Sequence, residues 1–262
     1  MKLLFVGDVV GSPGRAGLRE AMPSLRERFE PDLAIVNGEN SAGGLGITER
    51  TGRDLFGMGF DVITLGNHTY RRKEAYDYLA DAERVVRPAN FMTTAPGKGH
   101  VIVEAGGMRV CALNLIGMLQ LQAARSPFVE ADAILSRLEG EVDAFVVDFH
   151  AEVTSEKVAM GWHLDGRAAA VLGTHTHVPT ADARVLPQGT AYISDVGMTA
   201  SRTSVLGVKF HQALEGFRTH LPQKFETADE DVWVNAVVIE VNERGLADSI
   251  EQVLEPCPAP GP

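Results

Sequence analysis

Short apolar runs alternate with helically spaced segments along the chain, and this alternation predicts most of its elements. Leu3–Val6, Leu33–Val36 and Val62–Leu65 are continuous runs of the kind that fill fully buried strands. Helical spacing between them predicts one helix beginning near Pro13, a residue suited to a first helical turn, and others over Glu49–Met58 and Glu74–Ala82. Pro23 is expected to kink or break the first helix, because it removes an N–H and crowds the preceding turn. His100–Ala105 and Met108–Leu115 flank Gly106-Gly107 and read as a hairpin. Pro127–Leu138 and Ser155–Trp162 carry helical spacing, while Ala144–Phe149, Ala168–Gly173, Thr190–Gly197 and Val232–Val241 read as later strands. The repeated strand–helix–strand units imply an α/β fold with a buried sheet covered by helices. The hairpin and late strands add mixed pairing, which points to two sheets packed between helices. Without repeats or a long linker, residues 1–254 are expected to form one domain. Glu255–Pro262 (EPCPAPGP) is expected to be a flexible, Pro-rich tail.

The chain of 262 residues, 45% hydrophobic and 23% charged, has the composition of a globular protein with a sizeable core. Its 24 basic and 35 acidic residues leave a net charge of −11, which argues against binding long nucleic acid through many phosphate contacts. A small anionic substrate remains compatible if a metal reverses the sign locally. Two cysteines exclude a disulfide framework and fit a reduced, cytoplasmic setting. The apolar run of MKLLFVGD is too short for an export signal, and no run is long enough to span a membrane.

Polar residues collect where the strands end. VGDVVG carries Asp8, VNGEN carries Glu39 and Asn40, LGNH carries Asn67 and His68, VVDFH carries His150, and LGTHTH carries His175 and His177. In sheets of this kind, sites gather at the carboxyl ends of strands. Each piece alone has a bland explanation: Gly-Asp and Asn-Gly are turn dipeptides, and His150 fits a hydrogen-bonded core imidazole. Together, five clusters of oxygen and imidazole donors without a thiolate make a ligand set for one or two ions such as iron, manganese or zinc. The two imidazoles of THTH would project from the same face of an extended chain. The Gly-rich start matches neither G-x-G-x-x-G nor a Walker P-loop. Val9 stands where a Gly-Asp-Ser esterase would carry its nucleophile.

The series GDVVG, VNGEN, GNHTY, DFHAE, GTHTH and SDVGM resembles the calcineurin-like metallophosphoesterases, and more closely their YmdB-like branch of 2′,3′-cyclic nucleotide phosphodiesterases. The resemblance implies a four-layer α/β/β/α sandwich and two metal ions at the strand ends, iron in this branch. One ion would be held by Asp8, Glu39, Asn40 and His177, and the other by Glu39, Asn67, His150 and His175, with Glu39 bridging. His68 would protonate the leaving alkoxide as small cyclic nucleotides such as 2′,3′-cAMP are hydrolysed in line. The chain departs from the wider superfamily at Val10, where a His is usual, at Glu39, where an Asp is usual, and at Thr69, where an acid usually follows the His. The first two departures belong to the branch. The third leaves open what orients His68.

Two other functions compete with this reading: a broad phosphomonoesterase or phosphodiesterase, and a metal-dependent regulatory protein that senses a nucleotide without turnover. A homo-oligomer is common for enzymes of this size. His100, His163, His211 and His220 lack ligand spacing, Cys111 reads as a core thiol, and Arg71-Arg72-Lys73 reads as a solvated helix start. Ser201–Lys209 is a candidate substrate loop only by its position after SDVGM.

Overall fold

In the computed structural model, which describes residues 1–121 and 123–257, strand periodicity sends neighbouring side chains into different cores. The chain runs through β1 (Lys2–Val6), β2 (Asp8–Val9), α1 (Gly11–Phe29), β3 (Leu33–Asn37), α2 (Glu49–Gly57), β4 (Val62–Thr64), α3 (Ala75–Asp81) and β5 (Val85–Val86). It continues through β6 (His100–Ala105), β7 (Met108–Ile116), α4 (Pro127–Arg137), β8 (Ala144–His150), α5 (Thr154–Leu164) and β9 (Ala170–Thr174). The remaining elements are β10 (Arg184–Val185), β11 (Ala191–Ile193), β12 (Met198–Ser201), α6 (Phe210–Thr219), β13 (Val232–Val241) and β14 (Ala247–Pro256).

One sheet has the order β2-β12-β13-β1-β3-β4-β5, with β14 paired to β13; the other has the order β10-β11-β9-β8-β7-β6. The centres of both are parallel (β1/β3/β4/β5 and β7/β8/β9/β11), and antiparallel strands flank them. Leu4 and Val6 face α1, α2 and α3, while Leu3 and Phe5 face the second sheet. On β8 the division repeats: Ala144 and Val146 meet the first sheet, and Val147 and Phe149 meet α4 and α5. Three apolar cores therefore separate four layers, helix–sheet–sheet–helix, with the central strands facing a core on both sides.

Three features differ from the sequence expectation. The first helix runs unbroken from Gly11 to Phe29 through Pro23. Pro23 and Arg19 both lie on its exposed face, so water can take the carbonyl that Pro23 leaves without a donor, while Leu18, Met22 and Leu25 hold the buried face. The apolar run Thr190–Gly197 is not one strand: β11 ends at Ile193, the chain turns through Gly197, and β12 joins the other sheet. Regular structure also extends into the expected tail, where Glu255 and Pro256 pair with Val234 and Trp233, and Cys257 N–H donates to Val232 O at 2.8 Å. As the outer partner of β13, β14 tolerates a proline that donates no hydrogen bond. Residues 258–262 of that tail lie outside the described residues.

Candidate metal centre and its surroundings

The parallel strands end together, and their ends bring the eight singled-out residues to one place. Asp8 opens β2, Glu39 and Asn40 follow β3, Asn67 and His68 follow β4, His150 closes β8, and His175 and His177 follow β9. The two sheets are tied beside this point by Asp148 of β8, whose carboxylate accepts from Asn37 Nδ2 at 2.9 Å and from the Thr64 hydroxyl. Chain crossings here are close. A Cβ on Gly66 would lie 2.3 Å from His150 Nε2 and 2.5 Å from Glu39 Oε2, so only glycine leaves this wall open.

Glu39, Asp8 and His150 are fully buried. Glu39 Oε1 lies 3.2 Å from His150 Nε2, 3.3 Å from His68 Nδ1 and 3.3 Å from Asn40 Nδ2. His150 Nε2 is also 2.9 Å from Asn67 Oδ1 and 3.0 Å from His175 Nδ1. Glu39, His150 and His175 thus offer one ligand atom each within a single small volume. A second group adjoins it, with His177 Nε2 3.1 Å from Asn40 Nδ2 and 3.8 Å from Asp8 Oδ1. Asp8 Oδ1 is buried and has no hydrogen-bond partner among the described residues.

Outer partners decide which nitrogen of each imidazole faces inward. Thr174 Oγ1 donates to Asp148 Oδ1 at 2.6 Å, so it accepts from His150 Nδ1–H at 2.9 Å, and the Nε2 lone pair of neutral His150 faces the cluster. His175 Nε2 meets Glu152 Oε2 at 3.0 Å, which leaves its Nδ1 inward. His177 Nδ1 donates to Leu206 O at 3.3 Å, which leaves its Nε2 inward. Ligands that share an ion at about 2.1 Å and at right angles stand about 3 Å apart, close to the spacing found here. Converging lone pairs, an orphaned buried carboxylate oxygen and outer N–H groups tied to oxygen all fit a bound cation. His68 is oriented the other way: its Nδ1–H donates into the cluster, to Asn40 Oδ1 at 2.7 Å, and its backbone N–H donates to Glu39 Oε2 at 2.8 Å. Asn40 and Glu39 therefore orient His68 in place of the missing acid. In this orientation Asn40 turns its amide nitrogen, not its oxygen, toward His177.

Charge is redistributed without a cation. Burial pushes Glu39 up, but the His150 and His68 imidazoles outweigh it and hold the carboxyl well below its usual range. Burial pushes His150 down, yet Glu39, Asp8 and Asp148 raise it to about 9. Burial and the neighbouring His150 lower His175 to about 3. Burial raises Asp8, against the pull of His177, and raises Asp148 to about 6.

The THTH segment is not extended as expected. β9 stops at Thr174, and His175 and His177 sit at φ 96° and 67°. Each such conformation costs about 1–3 kcal/mol and persists only where surrounding contacts impose it. Here Thr176 gives its N–H and hydroxyl to Asp195 Oδ2 at 3.0 and 2.7 Å, and the buried Lys157 Nζ reaches the same oxygen at 2.7 Å. Sequence reasoning missed this anchor, although Asp195 stands within SDVGM. It also missed Asp148, which holds the Thr174 hydroxyl behind His150, and Glu152, which faces His175 Nε2. Asp148 could have been found, since it lies two residues before His150 and shares its strand face. The Leu206 contact brings the Ser201–Lys209 segment against His177 and has no chemical signal in the sequence. Of the basic run, Arg72 is tied to the carbonyls of Leu45 and Ala42, while Arg71 lines a cleft beside Asn67.

The four-layer sandwich with this donor set at its strand ends is that of the phosphoesterases. A family model described as YmdB-like protein matches residues 4–253, and the chain belongs to that family. It is 45% identical, over 97% of both chains, to a Bacillus subtilis protein named 2′,3′-cyclic-nucleotide 2′-phosphodiesterase. A crystal structure of a hypothetical protein from Thermus thermophilus superposes with TM-score 0.92 at 41% identity, covering 98% of this chain and 100% of that one. A Mycoplasma pneumoniae protein described as a novel phosphatase superposes with TM-score 0.90 at 33% identity, covering 98% and 95%. The chain is a phosphoesterase. No helix among the described residues is long and apolar enough to cross a membrane.

Proposed function

We propose that the protein is a dinuclear metal phosphodiesterase that hydrolyses small cyclic nucleotides, 2′,3′-cAMP among them. The observation that carries this reading is the set of three imidazoles, each with its outer nitrogen tied to an oxygen and its inner lone pair turned toward buried carboxylates. His150, His175, Asn67 and Glu39 would hold one ion; Asp8, His177, Asn40 and Glu39 would hold the other, with iron, manganese or zinc suited to the donors. Asn40 ligates through oxygen if its amide turns over, which trades the contact to His68. When bound, such ions make water nucleophilic at neutral pH and offset charge on the phosphoryl oxygens. The chain's own residues do the rest. Asp148 and Thr174 fix the His150 ring, Asp195 and Lys157 hold the strained loop that presents His175 and His177, and Glu39 supplies charge to both groups. His68, anchored through Nδ1, keeps Nε2 available to deliver a proton to the leaving ribose oxygen.

The test is elemental analysis of protein purified without chelators, followed by assay against 2′,3′-cAMP, 3′,5′-cAMP and a chromogenic diester. About two ions per chain and preference for the 2′,3′-cyclic ester are expected. Glu39→Gln should deplete both ions and abolish turnover, because one carboxylate offsets the repulsion between two cations. Full activity with one ion or none, or full occupancy in the Gln variant, overturns the bridging role.

A further inference from the structure

A cleft of about 560 Å³ is lined by Asn67, Arg71 and Gln120 and by the apolar Tyr70, Phe91, Met92, Ile116 and Leu121. Asn67, whose Oδ1 is 2.9 Å from His150 Nε2, joins this cleft to the metal cluster. Tyr70 and Phe91 pair with ring centres 5.9 Å apart and planes 37° apart, and Tyr76 packs edge-on against Tyr70 at 5.6 Å. The Tyr70 hydroxyl donates to Pro96 O at 2.6 Å, so this ring is held in place. Met92, which also lines the cleft, is 60% exposed. Arg71 is exposed, and its guanidinium has no hydrogen-bond or ion-pair partner among the described residues, unlike that of Arg72.

A cleft of this volume with a few polar groups beside aromatic and aliphatic side chains suits a small amphipathic ligand. A ligand whose phosphate reaches the cluster past Asn67 can place what it carries beyond the phosphate in this cleft. Rings that stack on aromatic side chains do so independently of sequence, because every nucleobase presents a π face.

We propose that this cleft is the base subsite of the enzyme and that Phe91, Tyr70 and Met92 hold the nucleobase. The proposal rests on the phosphodiesterase reading above and adds the residues that select the substrate. The competing surface is the apolar groove under α6, lined by Leu206, Phe217 and Phe225, which includes none of the eight residues of the metal centre.

The experiment compares 2′,3′-cAMP with a base-free cyclic ester, glycerol 1,2-cyclic phosphate, on the metal-loaded enzyme. Phe91→Leu keeps bulk but loses the ring face, and Met92→Ser alters an exposed position that the fold does not need. Each should raise KM for 2′,3′-cAMP, Phe91→Leu by about tenfold. Both should leave kcat, metal content and the kinetics of the base-free ester unchanged. Phe217→Ser, in the α6 groove, should leave both substrates unaffected. An equal change for the two substrates, no change for either in the Phe91 and Met92 variants, or a base-dependent KM rise only in Phe217→Ser overturns the base subsite. If the unaltered enzyme cleaves neither substrate, the phosphodiesterase reading itself has failed, a result distinct from any of these.

Discussion

His150 is the residue on which a proton would compete with the proposed cation. In protein stripped of metal, its Nε2 carries a proton that Glu39 Oε1 shares at 3.2 Å, and the imidazole titrates at about 9 rather than 6.5. A raised imidazole stabilises the fold below its unfolded value and loses that contribution as pH climbs through the folded one. Metal-stripped protein should therefore melt at progressively lower temperature from pH 6.5 to 9. Loaded protein, whose ligand must already be deprotonated, should show no such fall. Calorimetric scans of both forms across this range check it, and parallel profiles would remove the His150–Glu39 pair as the cause. His68 makes a different prediction, because its bonded nitrogen faces the cluster and its other nitrogen does not. His68→Ala should keep both ions and lose about 10²–10⁴-fold in turnover of 2′,3′-cAMP. The loss should shrink for a nitrophenyl ester, whose leaving oxygen needs no proton. Equal losses for both substrates would assign His68 a packing role.

The strand ends bring their own constraint. β4 stops at Thr64, and the chain must pass Gly66 before Asn67 and His68 reach the cluster. Since a methyl there would stand 2.3 Å from His150 Nε2, Gly66→Ala should push the imidazole and Glu39 apart. We expect a loss of about 1–3 kcal/mol in stability, the usual cost of overpacking, together with most of the bound metal. Circular dichroism should still report intact sheets, because Gly66 lies beyond the end of β4. Metal retained at the parental level would show that the wall can give. After β9 the logic is reversed: His175 and His177 need a turn that their own backbones disfavour, and Asp195 imposes it through Thr176. The sequence pattern THTH looked extended because alternation carries no information about φ. Strand β14 buries few side chains along an edge, so it writes no strong apolar period. Helix α6 does carry one, at Phe210, Ala213, Leu214 and Phe217, although only Ala213 of these is buried.

The whole molecule holds the centre at the seam between two sheets. Asp8, Glu39, Asn40, Asn67 and His68 come from one sheet, and His150, His175 and His177 from the other. Asp148 crosses the seam to Asn37 and Thr64, so the geometry of the ligand set depends on how the sheets pack over Phe5, Ile35, Val146 and Leu172. Around the proposed metal site the chain as a whole carries a net charge of −11. Duplex DNA or RNA should therefore bind weakly even to metal-loaded protein, because long phosphate backbones meet the global field while a single cyclic phosphate meets only the local one. Filter binding at low salt measures this. Tight binding that weakens steeply with salt would contradict it.

Sequence alone determined what depends on neighbours along the chain. Apolar runs and helical spacing located β1, β3, β4, the β6–β7 hairpin, β8 and β13, and polar residues at the strand ends marked the eight residues that meet. Those signals survive in sequence because burial on both faces of a strand demands continuous apolar runs, and parallel strands share the end at which they stop. Only the tertiary structure decided what depends on residues far apart. It made Asp195 of one segment the anchor of Thr176 in another, and Asp148 the partner behind His150. It gave Asn40 and Glu39 the task of orienting His68, carried α1 through Pro23, and continued β14 past Glu255. The reason is the same in each case: a hydrogen bond or a packing contact across many residues leaves no period in the sequence, and its partner is chosen by the geometry of the packed sheets.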